Sequence, residues 1–502
     1  MKNEVTKWQG LEQEFRVGIQ SVSERNNQEN CAITLYKALK GYVFFDGRPA
    51  ILYATNDYDG FMRNGSRMYL CHSLPEIATP ECRNAFELLK YDKASEFYMQ
   101  LAMELVNEQL RNSGKKFRIL CWKANTELNP EFTRGTHENY AVDLWKFKKD
   151  GEFKKECLSP FLLLKPLIFG SGGYVSEGAS ACSLKELMEH ATYVISPRAM
   201  VTNRVYGGGG RKHSLFSIKG ISNLRLHVDS GEGLRSEVAR LLNNAITSYV
   251  IQAIEAGTID RVERIADPIG TLKALSRNVE GDWTIRLENG KQTKALDYLN
   301  ATYIAAIEAL FDERAQSYWD AYALRTFKAL HEKLDQGLFE DRFVYRKIEW
   351  LMKWYVIENC LDRFGYEAGE DEKEKKICAS FEFSNLGEHD LYERVADEIG
   401  IERIVSEEEI GEALLYPPEN SRAAVRTALI EEITRYHPEN LIVRWNQIVN
   451  PPTRDEEINF EELDGWNAPR ITGKIKEAKL FARDKYAERC KTHNQGCLLS
   501  NT

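Results

Sequence analysis

GLEQEF, residues Gly10 to Phe15, is the stretch on which the fold turns. Read as a strand, it sends Glu12 and Glu14 to one face, roughly 6–7 Å apart along the chain. Two carboxylates so placed suit a hard cation such as Mg2+, which prefers oxygen ligands and keeps several waters. They suit equally a solvated polar face at the start of an edge strand.

The chain around this stretch has 502 residues, enough for about three average domains or one large catalytic domain with an appendage. With 43% hydrophobic and 28% charged residues it is neither disordered nor fibrous. A net charge of −9 argues against general affinity for nucleic acid or anionic membrane. MKNEVTKWQG at the start lacks an apolar core, so no secretory signal is expected. The most apolar stretch, LSPFLLLKPLIFGSGGYV, is interrupted by Pro160, Lys165 and Pro166 and falls short of a membrane span. Ten cysteines without a CxxC pair argue against a zinc site or a disulfide scaffold. A reduced, cytoplasmic protein is the expectation.

Up to about residue 230, strand-like runs alternate with helices. Phe117–Ala124, Asn139–Phe147 and Leu224–Ser230 read as strands, and SEFYMQLAMELVNEQLRNSGKK as a helix with a Gly stop. From about 234 helices dominate. Val238, Leu241, Leu242, Ala245, Ile246, Val250, Ala253 and Ile254 form one apolar stripe ended by Gly257, which predicts a core helix. TIRLENGKQ, from Thr284, reads as a hairpin turning at Asn-Gly, and YEAGEDEKEKK, from Tyr366, as a linker or exposed loop.

Four further stretches carry candidate chemistry. In RMYLCHSLPEIATPEC (Arg67 to Cys82), Arg67, Tyr69 and Cys71 alternate and share a face. Arg67 can hold phosphate oxygens, while Tyr69 and Glu76 can offer oxygens to a metal. A Pro-Glu turn and a helix entry at Thr79–Cys82 are expected to follow; a buried cysteine is otherwise an inert small hydrophobe. GTHENY and LRLHVD supply His137 and His227, although a lone strand histidine is more often structural than a ligand. YGGGGRKHS (Tyr206 to Ser214) invites a phosphate-cradle reading, or that of a surface loop, without matching the P-loop spacing.

In their order along roughly residues 10–450, these segments resemble the Pup ligases and their sister depupylases, within the glutamine synthetase-like carboxylate–amine ligases. YVISPRA, AIEAG, IEWLMKWYVIE, YPPENSRAAVR and VRWNQ extend the likeness. The resemblance implies an α+β fold: a large domain (1–370) with a curved antiparallel sheet packed on helices, a small C-terminal domain (378–470) closing the site, and a tail (471–502). It implies ATP and Mg2+ as cofactors, a small Pup-like protein or other carboxylate as substrate, a lysine-bearing acceptor, and a link to the proteasome. It places Glu12, Tyr69 and Glu76 on metal-ligand positions, Arg67 and Thr79 on nucleotide contacts, and Trp445 at the nucleotide border. Glu14, His137 and His227 fall in segments lining the sheet and join the metal candidates. Arg198, Arg422 and Arg426 become phosphate or carboxylate partners.

The sequence also departs from the family. Cys71 stands where both branches carry the catalytic aspartate, Leu74 where a histidine precedes Pro-Glu, and Lys219 where an arginine is usual. The stretch before LRLHV is shortened. Three functions therefore stay open: an ATP-dependent isopeptide-forming ligase acting through an acyl phosphate, favoured by the short spacing between Glu14 and Arg67; a depupylase-like amide hydrolase with Cys71 as nucleophile; and a catalytically impaired nucleotide-binding homologue.

Overall fold

The structure is a computed structural model that describes residues 7–20, 28–45, 47–125, 134–143, 145–149, 152–176, 184–207, 213–219, 225–313, 316–369, 371–387, 390–434, 442–449, 457–463 and 465–476. The Gly-rich run at 208–212 and the tail beyond 476 lie outside the described residues. The strands that carry the candidate residues are, in chain order, β1 (Gln9–Glu14), β2 (Ile51–Asn56), β3 (Asp59–Met62), β4 (Arg67–Cys71), β5 (Leu74–Ala78), β6 (Thr136–Ala141), β7 (Arg204–Gly207), β8 (Ser214–Lys219) and β9 (Arg225–Val228). Four helices matter here: α1 (Ala85–Asn112), α2 (Pro197–Val201), α3 (Glu237–Ala256) and α4 (Arg422–Thr434). Antiparallel pairing predominates, in keeping with the α+β expectation.

The chain divides into two compact units, each built from separated segments. Met1–Asn26, Arg83–Leu89 and Phe117–Ser406 form the first; Asn27–Cys82, Lys90–Lys116 and Glu407–Thr502 form the second. Residues 378–406 thus group with the first unit, and the units do not follow a boundary at 370–378.

In the first unit the strand order is β7-β8-β9-β6-β1, antiparallel except for the parallel β7–β8 pair. Behind it runs α3, capped by the Ser236 hydroxyl, which accepts from the Ala239 amide, and ended by Gly257 at φ 81°. The predicted stripe is buried, but so is every other residue from Glu237 to Ile254, including Arg240 and Asn243. The helix is therefore wrapped on all sides and not amphipathic. Two predicted strands appear as Arg118–Trp122 and β9; the one read at Asn139–Phe147 is β6, which starts earlier and ends at Ala141, and the Asn-Gly hairpin appears as Thr284–Arg286 paired with Gln292–Lys294. The predicted linker is loop over Tyr366–Gly369, but from Glu372 it is a helix, Glu372–Glu382, which the Asp371 side chain caps by accepting from the Glu374 amide.

In the second unit the order is β5-β4-β3-β2, antiparallel throughout. The β4–β5 turn falls at His72-Ser73, both with positive φ (49° and 67°), and Pro75 and Glu76 lie inside β5. The expected Pro-Glu turn is thus displaced by two-residue hairpin geometry. α1, whose first residues belong to the first unit, begins at Ala85, with Asn84 accepting the Glu87 amide, later than the expected entry at Thr79–Cys82. One face of α4 packs through Val425, Leu429 and Ile433 on Phe61, Ile448, Phe460 and Trp466.

Candidate functional site

In the first unit, strand register builds a cluster. Glu12 lies opposite His137, and Asn139 opposite His227. Residues directly opposite in an antiparallel pair share a face, so Glu12, His137, Asn139, Arg225 and His227 project together. The alternate residues Leu11, Glu138, Tyr140, Leu226 and Val228 are buried on the other face. There Glu138 is held by Lys165 at 2.5 Å and by the Tyr140 hydroxyl at 2.8 Å, a buried pair that fixes the strand from behind.

Glu12 Oε1 accepts from Arg225 Nη1 at 2.6 Å and from Asn139 Nδ2 at 3.3 Å; Oε2 lies 3.7 Å from His137 Nδ1. A carboxylate can only accept, so Asn139 turns its amide nitrogen to Glu12 and its Oδ1 to His227 Nδ1, 2.8 Å away. The other nitrogen of His227 meets Asp229 Oδ1 at 2.8 Å. Burial alone would raise the Glu12 carboxyl, but the neighbouring His137 ring, the Arg225 charge and His227 overcome it and hold it well below the carboxylate range. Burial pushes His227 down against the pull of Asp229 and Glu12. For His137 the burial is outweighed by Glu12 and Glu14, and its pKa is raised.

One ligand atom each from Glu12, His137 and His227 lies within 4.8 Å of the others. A carboxylate with two imidazoles fits a divalent cation. The two imidazoles suit Zn2+, while Mg2+ or Mn2+ in the same place would lean on the Glu12 carboxylate and water. Glu14, on the same strand face, accepts the Gly135 amide at 3.0 Å. Arg198 on α2 is buried and donates through Nη2 to the Asp229 carbonyl; burial lowers its pKa against Glu14, Glu232 and Asp229.

In the second unit, Tyr69 lies opposite Glu76, and its hydroxyl donates to Glu76 Oε1 at 2.5 Å. Arg67 on the same face makes a two-pronged contact with Asp59, Nε to Oδ1 at 2.8 Å and Nη2 to Oδ2 at 2.5 Å, beneath the Phe61 and Tyr69 rings. That bond to Asp59 raises the Arg67 pKa. Cys71 ends β4 with Sγ 3.2 Å from His72 Nδ1. Thr79 is buried just past β5.

Arg422 and Arg426 converge on Glu81. Arg426 is fully buried; it grips both Glu81 oxygens at 3.0 Å and donates to the Gly65 and Trp445 carbonyls at 2.8 Å. Its guanidinium lies 4.6 Å from the Trp445 ring centre, and Trp445 packs edge-on against Phe61 at 5.5 Å. Arg422 Nε donates to Glu81 Oε1 at 2.8 Å. Burial would raise Glu81, but the two arginines hold it down to about 2. Burial pulls the Arg426 guanidinium down as well, from so high a value that it stays cationic. Arg426 therefore lies beneath Trp445.

Sequence reading passed over Arg225, Asp229, Asn139, Asp59 and Glu81. Alternation in RLHVD does put Arg225, His227 and Asp229 on one face, a signal that was available. Asp59 and Glu81 gain their partners only through cross-strand register and chain return.

With this geometry in hand, comparison with known proteins is informative. A family model described as Pup-ligase protein matches residues 8–449. A Pup–protein ligase of Nocardioides sp. is 29% identical over 384 residues, covering 74% of this chain and 80% of the relative. One from Mycobacterium tuberculosis is 28% identical over 377 residues, covering 74% and 79%. Among solved structures, the ligase PafA in complex with the prokaryotic ubiquitin-like protein Pup superposes with a TM-score of 0.76 at 19% identity, over 95% of this chain and 93% of that one. PafA in complex with ADP gives 0.69 at 19% identity, over 92% and 95%. The two structures establish the α+β fold, and the match over residues 8–449 establishes that the chain belongs to the Pup-ligase protein family.

Proposed function

We propose that the protein is an ATP-dependent ligase that joins a carboxylate, on Pup or a Pup-like protein, to a lysine amine of a target protein in the cytoplasm. The observation that carries this reading is the Glu12–His137–His227 cluster on one sheet face of a chain in this family. The carboxylate attacks the terminal phosphorus of ATP, giving an acyl phosphate and ADP. The amine then attacks the acyl carbon and expels phosphate, leaving an isopeptide bond. A divalent cation, Mg2+ in this reading, supplies charge neutralisation on the phosphates when bound.

The chain's own residues divide the remaining work. Glu12, His137 and His227 hold the cation, with Glu14 beside them; Tyr69 and Glu76 carry over from the family resemblance as further ligands. Arg67 and Thr79 bind the nucleotide, Trp445 borders it, and Arg198 stabilises spreading negative charge. Arg422 and Arg426 act through Glu81 and Trp445. The C-terminal segment 378–470 contributes Trp445 in this proposal.

A second reading is favoured by one contact. Cys71 Sγ lies 3.2 Å from His72 Nδ1, the pairing of a thiol with a base that nucleophilic catalysis uses. Under that reading the protein cleaves an amide without ATP turnover. Incubation with ATP-Mg2+, a Pup-like carboxylate and a lysine acceptor separates the two. The ligase reading expects ADP and phosphate in step with a new amide. AMP, or amide cleavage with ATP untouched, contradicts it.

A further inference from the structure

The contact between Arg225 and Glu12 has a consequence for how the cation site is filled. Arg225 Nη1 lies 2.6 Å from Glu12 Oε1, on one of the three candidate ligand residues. The Arg225 side chain is 43% exposed, whereas that of Glu12 is 17% exposed. The acid is thus fixed in the sheet while its counter-ion stands at the rim on a long stem. A guanidinium and a divalent cation held on the same carboxylate repel each other strongly. Across the β8–β9 pair, Arg225 lies directly opposite Lys219, a second exposed cation on the same face.

We propose that Arg225 is an exchangeable counter-cation: a divalent cation displaces it from Glu12, and the released guanidinium, with Lys219 beside it, binds phosphoryl oxygens of the nucleotide. The proposal rests on the proposed cation site at Glu12, His137 and His227. It makes Arg225 oppose metal binding and assist nucleotide binding, and a purely structural ion pair does neither. Guanidinium suits the second task because its planar fork matches phosphate geometry.

The test titrates Mn2+ alone by electron paramagnetic resonance, then ATP at saturating Mn2+ by calorimetry, on wild type, Arg225→Gln, Arg225→Lys and Glu12→Gln. Arg225→Gln is expected to bind Mn2+ about fivefold or more tighter, and ATP about tenfold weaker, the scale of a hydrogen bond between charged groups. Arg225→Lys keeps the charge and is expected to return both values toward wild type. Glu12→Gln is expected to lose Mn2+ binding. If it does, while Arg225→Gln binds Mn2+ no tighter or ATP no weaker, the exchange is overturned and the cation site stands. If Glu12→Gln binds Mn2+ as wild type does, the cation site fails, and the exchange with it.

Discussion

At the scale of single residues, Cys71 and Glu81 lend themselves to decisive substitutions. Cys71 ends β4 beside His72, where the family resemblance expects a carboxylate. Cys71→Ala is expected to leave ATP affinity by calorimetry within about twofold, because the thiol makes no nucleotide contact in the proposed reaction. Cys71→Asp is expected to raise amide formation, since at pH 7 a carboxylate is ionised while a thiol of ordinary pKa near 8.5 is mostly protonated. Loss of a measured activity in both variants marks the thiol as nucleophile and favours the hydrolase. Glu81 titrates near 2 in the folded chain, below its ordinary 4.5, because Arg426 and Arg422 face it. A carboxyl lowered on folding contributes stability that is present above the unfolded pKa and lost as pH falls through the folded one. Wild-type stability should therefore decline between about pH 4.5 and 2 more steeply than that of Glu81→Gln, measured by urea denaturation. At pH 7 that variant should be weaker by roughly 3–5 kcal/mol, because it leaves Arg426 buried and uncompensated. Parallel pH profiles would contradict the clamp.

At the scale of elements, the β4–β5 hairpin turns on two non-glycine residues with positive φ, His72 and Ser73. Such turns favour Asn-Gly, and a non-glycine residue in this region costs of order 1 kcal/mol or more. Ser73→Gly is therefore expected to stabilise the protein by about 0.5–1 kcal/mol in urea denaturation. Destabilisation would show that the serine makes a contact outweighing the strain. The same hairpin marks where sequence reading reached its limit. Arg67, Tyr69 and Cys71 were legible as one face because alternation is a local property of a strand. The turn was not, since Pro-Glu is the stronger turn signal and only pairing with Leu74–Ala78 moves the reversal to His72-Ser73. The α3 stripe was legible from its period, and burial of Arg240 and Asn243 was not, because nothing in the helix says how many neighbours surround it. Acidic residues around Asp371 read as a linker, yet Asp371 itself is a helix cap.

At the scale of the whole molecule, the family was legible from the order of short segments, none specific alone. Glu12, His137 and His227, spread over 216 positions of chain, meet only through the β1–β6–β9 register. The division into interleaved units was not legible, since composition marks linkers but not which distant segments pack together. Among the described residues no helix is long and apolar enough to cross a membrane. The account's central claim is ATP-driven amide formation, and intact-mass spectrometry tests it most directly. Purified protein is incubated with ATP-Mg2+, a Pup-like protein and a lysine-bearing acceptor, and ADP is counted alongside. The account predicts an acceptor heavier by one Pup-like protein less one water, with one ADP per bond and no product without ATP. An acceptor that stays unmodified while ATP is bound, or a preformed conjugate that is cleaved without ATP, would contradict it.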